Sequence, residues 1–278
     1  MVDVVVSAAY LATLRKAGEF TTFWVVFQKL MNENKINGVA YLEAIQAAWA
    51  LGNEELAKAL LSEAESKKFP TTRICSSYIK GIKGLVQSES LAEAEILCEN
   101  IIGNGIANDI IYNDYALLLK KMGNFVRAEQ IFRIAENSGE INEIGYLLWI
   151  DCLWEQNKID EAEALFLRSP VSLVIKEEGG LFCLDLHGYT AGSAIVALKL
   201  FMEQLTKEQG ELPTHIGIIC GQALHSRTEG GVLKKFILKH APTLPQIEQV
   251  QEDSHNAGRL NVSLKSVKNC QIKRTYLE

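Results

Sequence analysis

Proline is scarce, with five in 278 residues. That excludes the long Pro-rich or low-complexity segments that cannot build a core. Long apolar runs are missing too. The most apolar stretches, Val4 to Leu14 and Ile144 to Leu153, are too short or too interrupted for a bilayer, which takes about 20 consecutive apolar residues. No membrane partner is expected. The six cysteines (Cys75, Cys98, Cys152, Cys183, Cys220, Cys270) form no CxxC pair and keep no regular spacing. This points away from a disulfide framework or a zinc site and toward buried free thiols in a reducing compartment. Met1 to Phe20 lacks the basic start and cleavage site of a secretory signal, and the Arg- and Ser-rich, acid-poor character of a transit peptide. The expected location is therefore intracellular: cytoplasmic, or downstream of a targeting segment that precedes this sequence.

Basic charge is lacking from the first part of the chain. Met1 to Glu178 holds 17 Lys/Arg against 25 Asp/Glu, a net of −8, whereas the last hundred residues hold 11 against 9, a net of +2. The first region has no general attraction for phosphate and the second only a slight one. All five histidines (His187, His215, His225, His240, His255) also lie in the second region. Two kinds of domain are implied, with the titratable chemistry in the later one.

What the first region does have is a repeat. Gly123-Asn124 precedes Ala128 and Phe132; Gly52-Asn53 precedes Ala57 and Leu61; Asn157-Lys158 precedes Ala162 and Phe166. Weaker copies carry Ala94 with Cys98, and Phe23 with Phe27. The turns fall at 18, 52, 89, 123 and 157, in steps of 34, 37, 34 and 34 residues, the spacing of helical-hairpin repeats. Gly or Asn tolerates the left-handed conformation that ends helix A. Alanine lets helix B approach closely, and the bulky residue one turn later fills the shared core. One hairpin cannot bury its own apolar face, so neighbours must stack. Trp24, Trp49, Trp149 and Trp154 fall inside these helical patterns and are read as packing residues.

A period near 34 also suits tetratricopeptide repeats. The second glycine after helix B, Gly139 and Gly105, makes the array resemble the pentatricopeptide (PPR) family, most fully in Ile111-Tyr112-Asn113 through Gly139. The resemblance covers roughly Val4 to Ser169. PPR proteins that read RNA one base per repeat place Asn, Ser or Thr early in helix A. Here those positions are Ala8, Leu42, Ile79, Asn113 and Leu147. Only Asn113 has a polar side chain, with Asn142 as its partner at the repeat end. Aliphatic side chains cannot read a base edge, so a scaffold or protein-binding array stands beside RNA reading.

Residues 169–180 hold Pro170, the Lys176-Glu177-Glu178 run and Gly179-Gly180, and read as a linker. From Leu181 the period changes. Phe182 to Leu186 reads as a buried strand, Thr190 to Leu205 as a helix with a wide apolar face, and Thr214 to Ile219 as a second strand. A loop spans Cys220 to Gly231; a helix spans Val232 to His240. Ile247 to Gln251 and Arg259 to Leu264 complete a β-α-β-α-β-β order. The expected fold class is an α-helical repeat solenoid of helix-turn-helix pairs over 1–168, then a small two-layer α/β domain over 181–265 and a tail over 266–278.

Three motifs in that domain carry a resemblance. Leu184-Asp185-Leu186-His187-Gly188 runs into a helix; Gly221-Gln222-Ala223-Leu224-His225-Ser226 follows the second strand; Asn256-Ala257-Gly258-Arg259 precedes the last. Their order and spacing resemble the small MutS-related (Smr) domain, with Ala223 where the family's second motif usually has glycine. Repeats followed by such a domain resemble the PPR-Smr proteins of plant and algal organelles. The resemblance implies an RNA partner (DNA not being distinguished), a role in RNA processing or organelle gene expression, and a chloroplast or mitochondrial address if a transit peptide precedes this sequence. In some members it implies a metal-dependent endonuclease.

The residues suit that chemistry. The alternation of Asp185 and His187 with Leu184 and Leu186 puts both polar side chains on one face of a strand. A carboxylate can hold Mg2+ or Mn2+ or orient a water, and an imidazole can act as general acid or base. Gly188 and Gly221 allow close backbone approach to a phosphate. His225, with Asp185 and His187, is a candidate catalytic group; Ser226, Arg227, Lys234 and Lys235 are candidate phosphate contacts. The alternative is a non-catalytic interaction protein whose acidic repeats grip a partner protein while the Smr-like domain only docks nucleic acid.

Overall fold

The computed structural model describes residues 4–69, 71–82, 88–105, 107–178, 180–209, 213–221 and 232–265. It divides into two compact units, Met1–Asn142 and Glu143–Glu278.

The first unit consists of helical hairpins: α1 (Val4–Ala17) with α2 (Phe20–Asn32), α3 (Gly38–Ala50) with α4 (Glu54–Ser66), α5 (Thr71–Ile82) with α6 (Ser88–Gly103), and α7 (Asp109–Lys121) with α8 (Phe125–Asn137). The first helices pack on one another in succession, α1 on α3, α3 on α5 and α5 on α7. The turn chemistry at 52 and 123 is as the spacing requires, whereas position 89, expected as a turn, lies in the first turn of α6. At Gly123, φ is +75°. Its N–H donates to the Lys120 carbonyl and that of Asn124 to the Leu119 carbonyl, the paired bonds that close a helix end on a left-handed residue. Asn124 then caps α8, its side-chain oxygen accepting from the Arg127 N–H at 3.2 Å. Gly52 and Asn53 repeat both devices two hairpins earlier. Ala57, Ala94 and Ala128 are fully buried, with Leu61, Cys98 and Phe132 beside them in the core. Burying a side chain as large as Phe132 contributes about 1.5–3 kcal/mol, so the repeated Ala–bulky pair is a main source of cohesion between helices.

The second unit opens with a further hairpin, α9 (Glu143–Glu155) and α10 (Ile159–Arg168), turned at Asn157 with φ +60°. There follow β1 (Val174–Glu178), β2 (Leu181–Asp185), α11 (Ala191–Gln209), β3 (His215–Ile219), α12 (Val232–His240), a short 3-10 turn at Ala241–Thr243, β4 (Ile247–Glu252) and β5 (Arg259–Leu264). The sheet order is β1-β2-β3-β5-β4. Only β2 and β3 are parallel, joined by α11; the other described pairs are antiparallel. On one face Leu184, Ile218 and Leu260 lie in a row, and Ile216 faces Val262. All are buried, as are Ala194, Leu198, Phe201 and Leu205 along α11. The opposite face is polar: Lys176, Cys183, Gly217 and Asn261 form one row, and Asp185, Ile219 and Arg259 the next.

Two departures from the sequence reading follow. The expected linker, 169–180, contains β1, an edge strand antiparallel to β2, so the order is β-β-α-β-α-β-β. The unit boundary also falls before α9 rather than at the linker. α9 buries every residue from Leu147 to Leu153, Asp151 among them. Such a helix needs cover on more than one side, and α11 supplies it. The Gly192 N–H donates to Asp151 Oδ1 at 2.5 Å, and Thr190 Oγ1 donates to the Leu147 carbonyl at 3.1 Å. Lys199 and Glu163 pair across α11 and α10. The last hairpin is thus part of the sheet unit's core.

No described helix is long and apolar enough to cross a membrane. The described cysteines are free thiols, and four of them (Cys75, Cys98, Cys152, Cys183) are buried. Trp149 is buried, while Trp154 packs its ring against Phe236 and His240 of α12.

Candidate active site

Because β2 and β3 are parallel, their carboxyl ends lie side by side, the position where open α/β sheets collect ligands. The Leu186 N–H donates to the Ile219 carbonyl at 2.9 Å and extends that pairing. Asp185 is the last residue of β2, and His187 leaves the strand just beyond it. Asp185 Oδ1 accepts from the His187 backbone N–H at 3.0 Å and lies 2.5 Å from His187 Nδ1. Asp185 Oδ2 accepts from Lys176 Nζ at 2.6 Å. An ionised carboxylate only accepts, so Nδ1 carries the imidazole proton and Nε2 is left to take one.

Electrostatics favour the ionised carboxylate. Burial pushes the Asp185 carboxyl up, but the hydrogen bonds from Lys176 and from the His187 backbone and ring outweigh it and bring it down to about 2. The bond to Asp185 likewise holds the Lys176 ammonium above its ordinary range. Asp185 is buried, whereas the His187 ring is 59% exposed.

Gly221 belongs to this site. Its φ is +80°, and a Cβ there would lie 2.7 Å from His187 Nε2. Only a glycine leaves the ring its place. The adjacent Cys220 N–H donates to the Gly258 carbonyl at 2.8 Å, which brings in the third motif. That turn is built on Asp253, whose Oδ1 accepts from the His255 and Asn256 N–H groups. Asn256 Oδ1 accepts from the Gly258 N–H at 3.0 Å. Arg259 closes the turn onto Asp253 at 2.6 Å, and the first cause holding the Asp253 carboxyl down, at about 2, is the His255 N–H. The described parts of the three motifs thus meet at one end of the sheet.

The other expected residues fare differently. His225, Ser226 and Arg227, with Ala223, lie outside the described residues. Gly188 has φ +82° with open space where a Cβ would be. Lys235 is exposed on α12. Lys234 is a correction: it points inward, 6% exposed, with Nζ 2.6 Å from Glu252 Oε2 and 3.0 Å from the Ala257 carbonyl oxygen. Its ammonium braces the third motif's turn and is not presented to a phosphate.

The metal expectation also meets an obstacle. Both oxygens of Asp185 are engaged, one by a cation. No group of three His, Cys, Asp or Glu suited to a metal gathers among the described residues. The described residues do not fit a Mg2+ or Mn2+ site at Asp185, and no chemical step is routed through one.

In the first unit, Asn113 Nδ2 donates to Asn142 Oδ1 at 3.3 Å, and Asn142 Nδ2 donates to Asp109 Oδ2 at 2.6 Å. The two residues meet, half-buried, as the repeat register expects. Ala8, Ile79 and Leu147, at the equivalent positions, are buried in the core. They could not face a base even if polar.

Two features escaped the sequence reading. Lys176 was hidden in the expected linker, although the β-branched pair Val174-Ile175 just before it is a strand signal. The Arg259 side chain passes over Gly217 and reaches Glu178 at 3.3 Å, tying β5 to the edge strand. Nothing local in the sequence announces that pairing of residues 81 apart.

Compared with models of known protein families, the chain matches none, and no curated protein matches it. Several solved structures are similar. A crystal structure of the pentatricopeptide repeat protein PPR10 from maize aligns at TM-score 0.45 and 15% identity, over 59% of this chain and 24% of that one. The same protein in complex with an 18-nt psaJ RNA element aligns at TM-score 0.45 and 16% identity, over 76% and 33%. A thermophilic TPR protein of Thermus thermophilus aligns at TM-score 0.43 and 12% identity, over 58% and 87%. The chain spans about a quarter to a third of the length of the maize protein.

Proposed function

We propose that this is an RNA-associated protein whose sheet unit binds RNA at the carboxyl ends of β2 and β3 and cleaves its backbone there. The observation that carries the reading is the His187 ring, fixed through Nδ1 by Asp185 and placed by Nε2 against Gly221. A carboxylate that holds one ring nitrogen leaves the other aimed and able to take a proton. Set beside a ribose, Nε2 takes the 2′-hydroxyl proton. The 2′-oxygen attacks the adjacent phosphorus and the 5′-oxygen departs with a proton from water, whose hydroxide takes back the proton held on Nε2. The products are a 2′,3′-cyclic phosphate and a 5′-hydroxyl. RNA rather than DNA is the partner because this chemistry needs the 2′-hydroxyl. The resemblance of the three motifs to the Smr domain, and of the repeats to PPR units, supports the same partner.

For the repeats a different role is favoured. Four of the five base-reading positions are apolar, and the region through Glu178 carries a net −8. We assign them to holding a partner protein; Asn113 and Asn142, the one polar pair at those positions, bond to each other and to Asp109. The test is to incubate the full chain with single-stranded and structured RNA, in chelator and in Mg2+ or Mn2+. Cleavage in chelator, abolished by a single 2′-deoxy substitution at the cut site, is expected. Cleavage only with metal, leaving 5′-phosphate ends, would overturn the mechanism.

A further inference from the structure

The edge strand β1 places a cation beside the proposed site that no motif includes. Lys176 pairs across the ladder with Cys183, and its ammonium reaches along the sheet's polar face to Asp185 Oδ2 at 2.6 Å. The side chain is 49% exposed, while that of Asp185 is 11% exposed. An ammonium has three donors, and Asp185 is its one hydrogen-bond partner among the described residues. The hydrogen bond and the charge of Asp185, and to a smaller extent the charge of Glu178 on the same face, hold the ammonium above its ordinary range.

The charge count explains why the cation matters. With His187 in the neutral form that a general base requires, Asp185 leaves one negative charge where a phosphodiester must approach. With Lys176 the three side chains sum to zero. A bound phosphate also offers oxygens to the donors that Asp185 leaves over. Lys234, the cation expected from the sequence to do this, is spent on Glu252 and the Ala257 carbonyl.

From this geometry we infer that Lys176 is the phosphate-binding residue of the site: it neutralises Asp185 in the free protein and donates to a non-bridging oxygen of bound RNA. The inference rests on the RNA reading of the preceding section. It places β1 inside the binding surface rather than outside the domain.

The experiment titrates the full chain, as wild type, Lys176→Gln and Lys176→Arg, with a short single-stranded RNA at several salt concentrations. Each phosphate contact contributes a log–log salt slope of about −0.7 on a single strand. Lys176→Gln is expected to bind about tenfold more weakly and to lose roughly one such increment of slope. Lys176→Arg is expected to keep both. A residue that only braced Asp185 would leave the slope unchanged. If wild type binds RNA and Lys176→Gln matches it in affinity and slope, this inference is overturned while the RNA reading stands. If wild type itself shows no salt-dependent RNA binding, the RNA reading fails and the inference with it. Urea unfolding of each variant checks that the β1–β2 pairing survives.

Discussion

Replacing Gly221 with alanine should separate the geometry of the site from the stability of the fold. The backbone there has φ +80°, and a Cβ would stand 2.7 Å from His187 Nε2 and 2.9 Å from Cδ2. Holding an alanine in the left-handed region costs about 1–2 kcal/mol. Ordinary carbon contacts are about 3.5–4 Å, so the ring must retreat by about 1 Å. That moves the ring off the position in which Nδ1 meets Asp185 Oδ1 at 2.5 Å. A misplacement of this size costs about a hundredfold in rate. Gly180→Ala is the control. Its φ is +77°, with nothing within 4 Å of the added carbon, so it carries strain without displacement. Both variants should lose similar stability in urea unfolding. Only Gly221→Ala should lose cleavage, and the His187 ring resonances in NMR spectra should shift in that variant alone. Equal cleavage by the two variants would mean that Gly221 does not hold the His187 ring in its working position.

Two further outcomes follow from the same structure. Asp185 is held at about 2, below the ordinary carboxylate value of about 3.9; its contribution to stability is therefore present above about pH 4 and lost as pH falls through about 2. Its partner Lys176 is half exposed, so solvent screening reduces the contribution to about 1 kcal/mol. The stability difference between wild type and Asp185→Asn, read by urea unfolding, should shrink from about pH 5 to about pH 2; a constant difference contradicts the assignment. In the repeats, Ala128→Leu overfills a site with no exposed surface and should cost about 1–3 kcal/mol. Val126→Leu, on the exposed side of the same helix, should be neutral in the same assay, and equal effects would mean that α7 and α8 do not pack closely there.

Much of this architecture is legible in the sequence because its causes are local. The 34-residue step works through turn residues: Gly52, Gly123 and Asn157 each take the positive φ that ends a helix. The alanines that follow them, Ala57, Ala128 and Ala162, are buried for the same geometric reason. Strands β2 and β3 announce themselves through short apolar runs, and β5 through the alternation of Leu260, Val262 and Leu264 with polar residues. What escapes is decided at a distance. β1 looks like a linker because three of its five residues are charged, two of them facing the sheet's polar side, where Lys176 meets Asp185 and Glu178 meets Arg259. Lys234 and Lys235 look alike in sequence, yet successive helix positions point about 100° apart, and one turns inward to Glu252 while the other meets solvent. The division before α9 depends on α11 covering that helix, a contact no periodicity contains.

Cleavage in chelator by wild type and by His187→Ala decides whether this ring is the general base. Wild type should release 2′,3′-cyclic phosphate and 5′-hydroxyl ends, and His187→Ala should bind the same RNA but cut it about a hundredfold or more slowly. Equal cleavage by the two proteins would contradict that role.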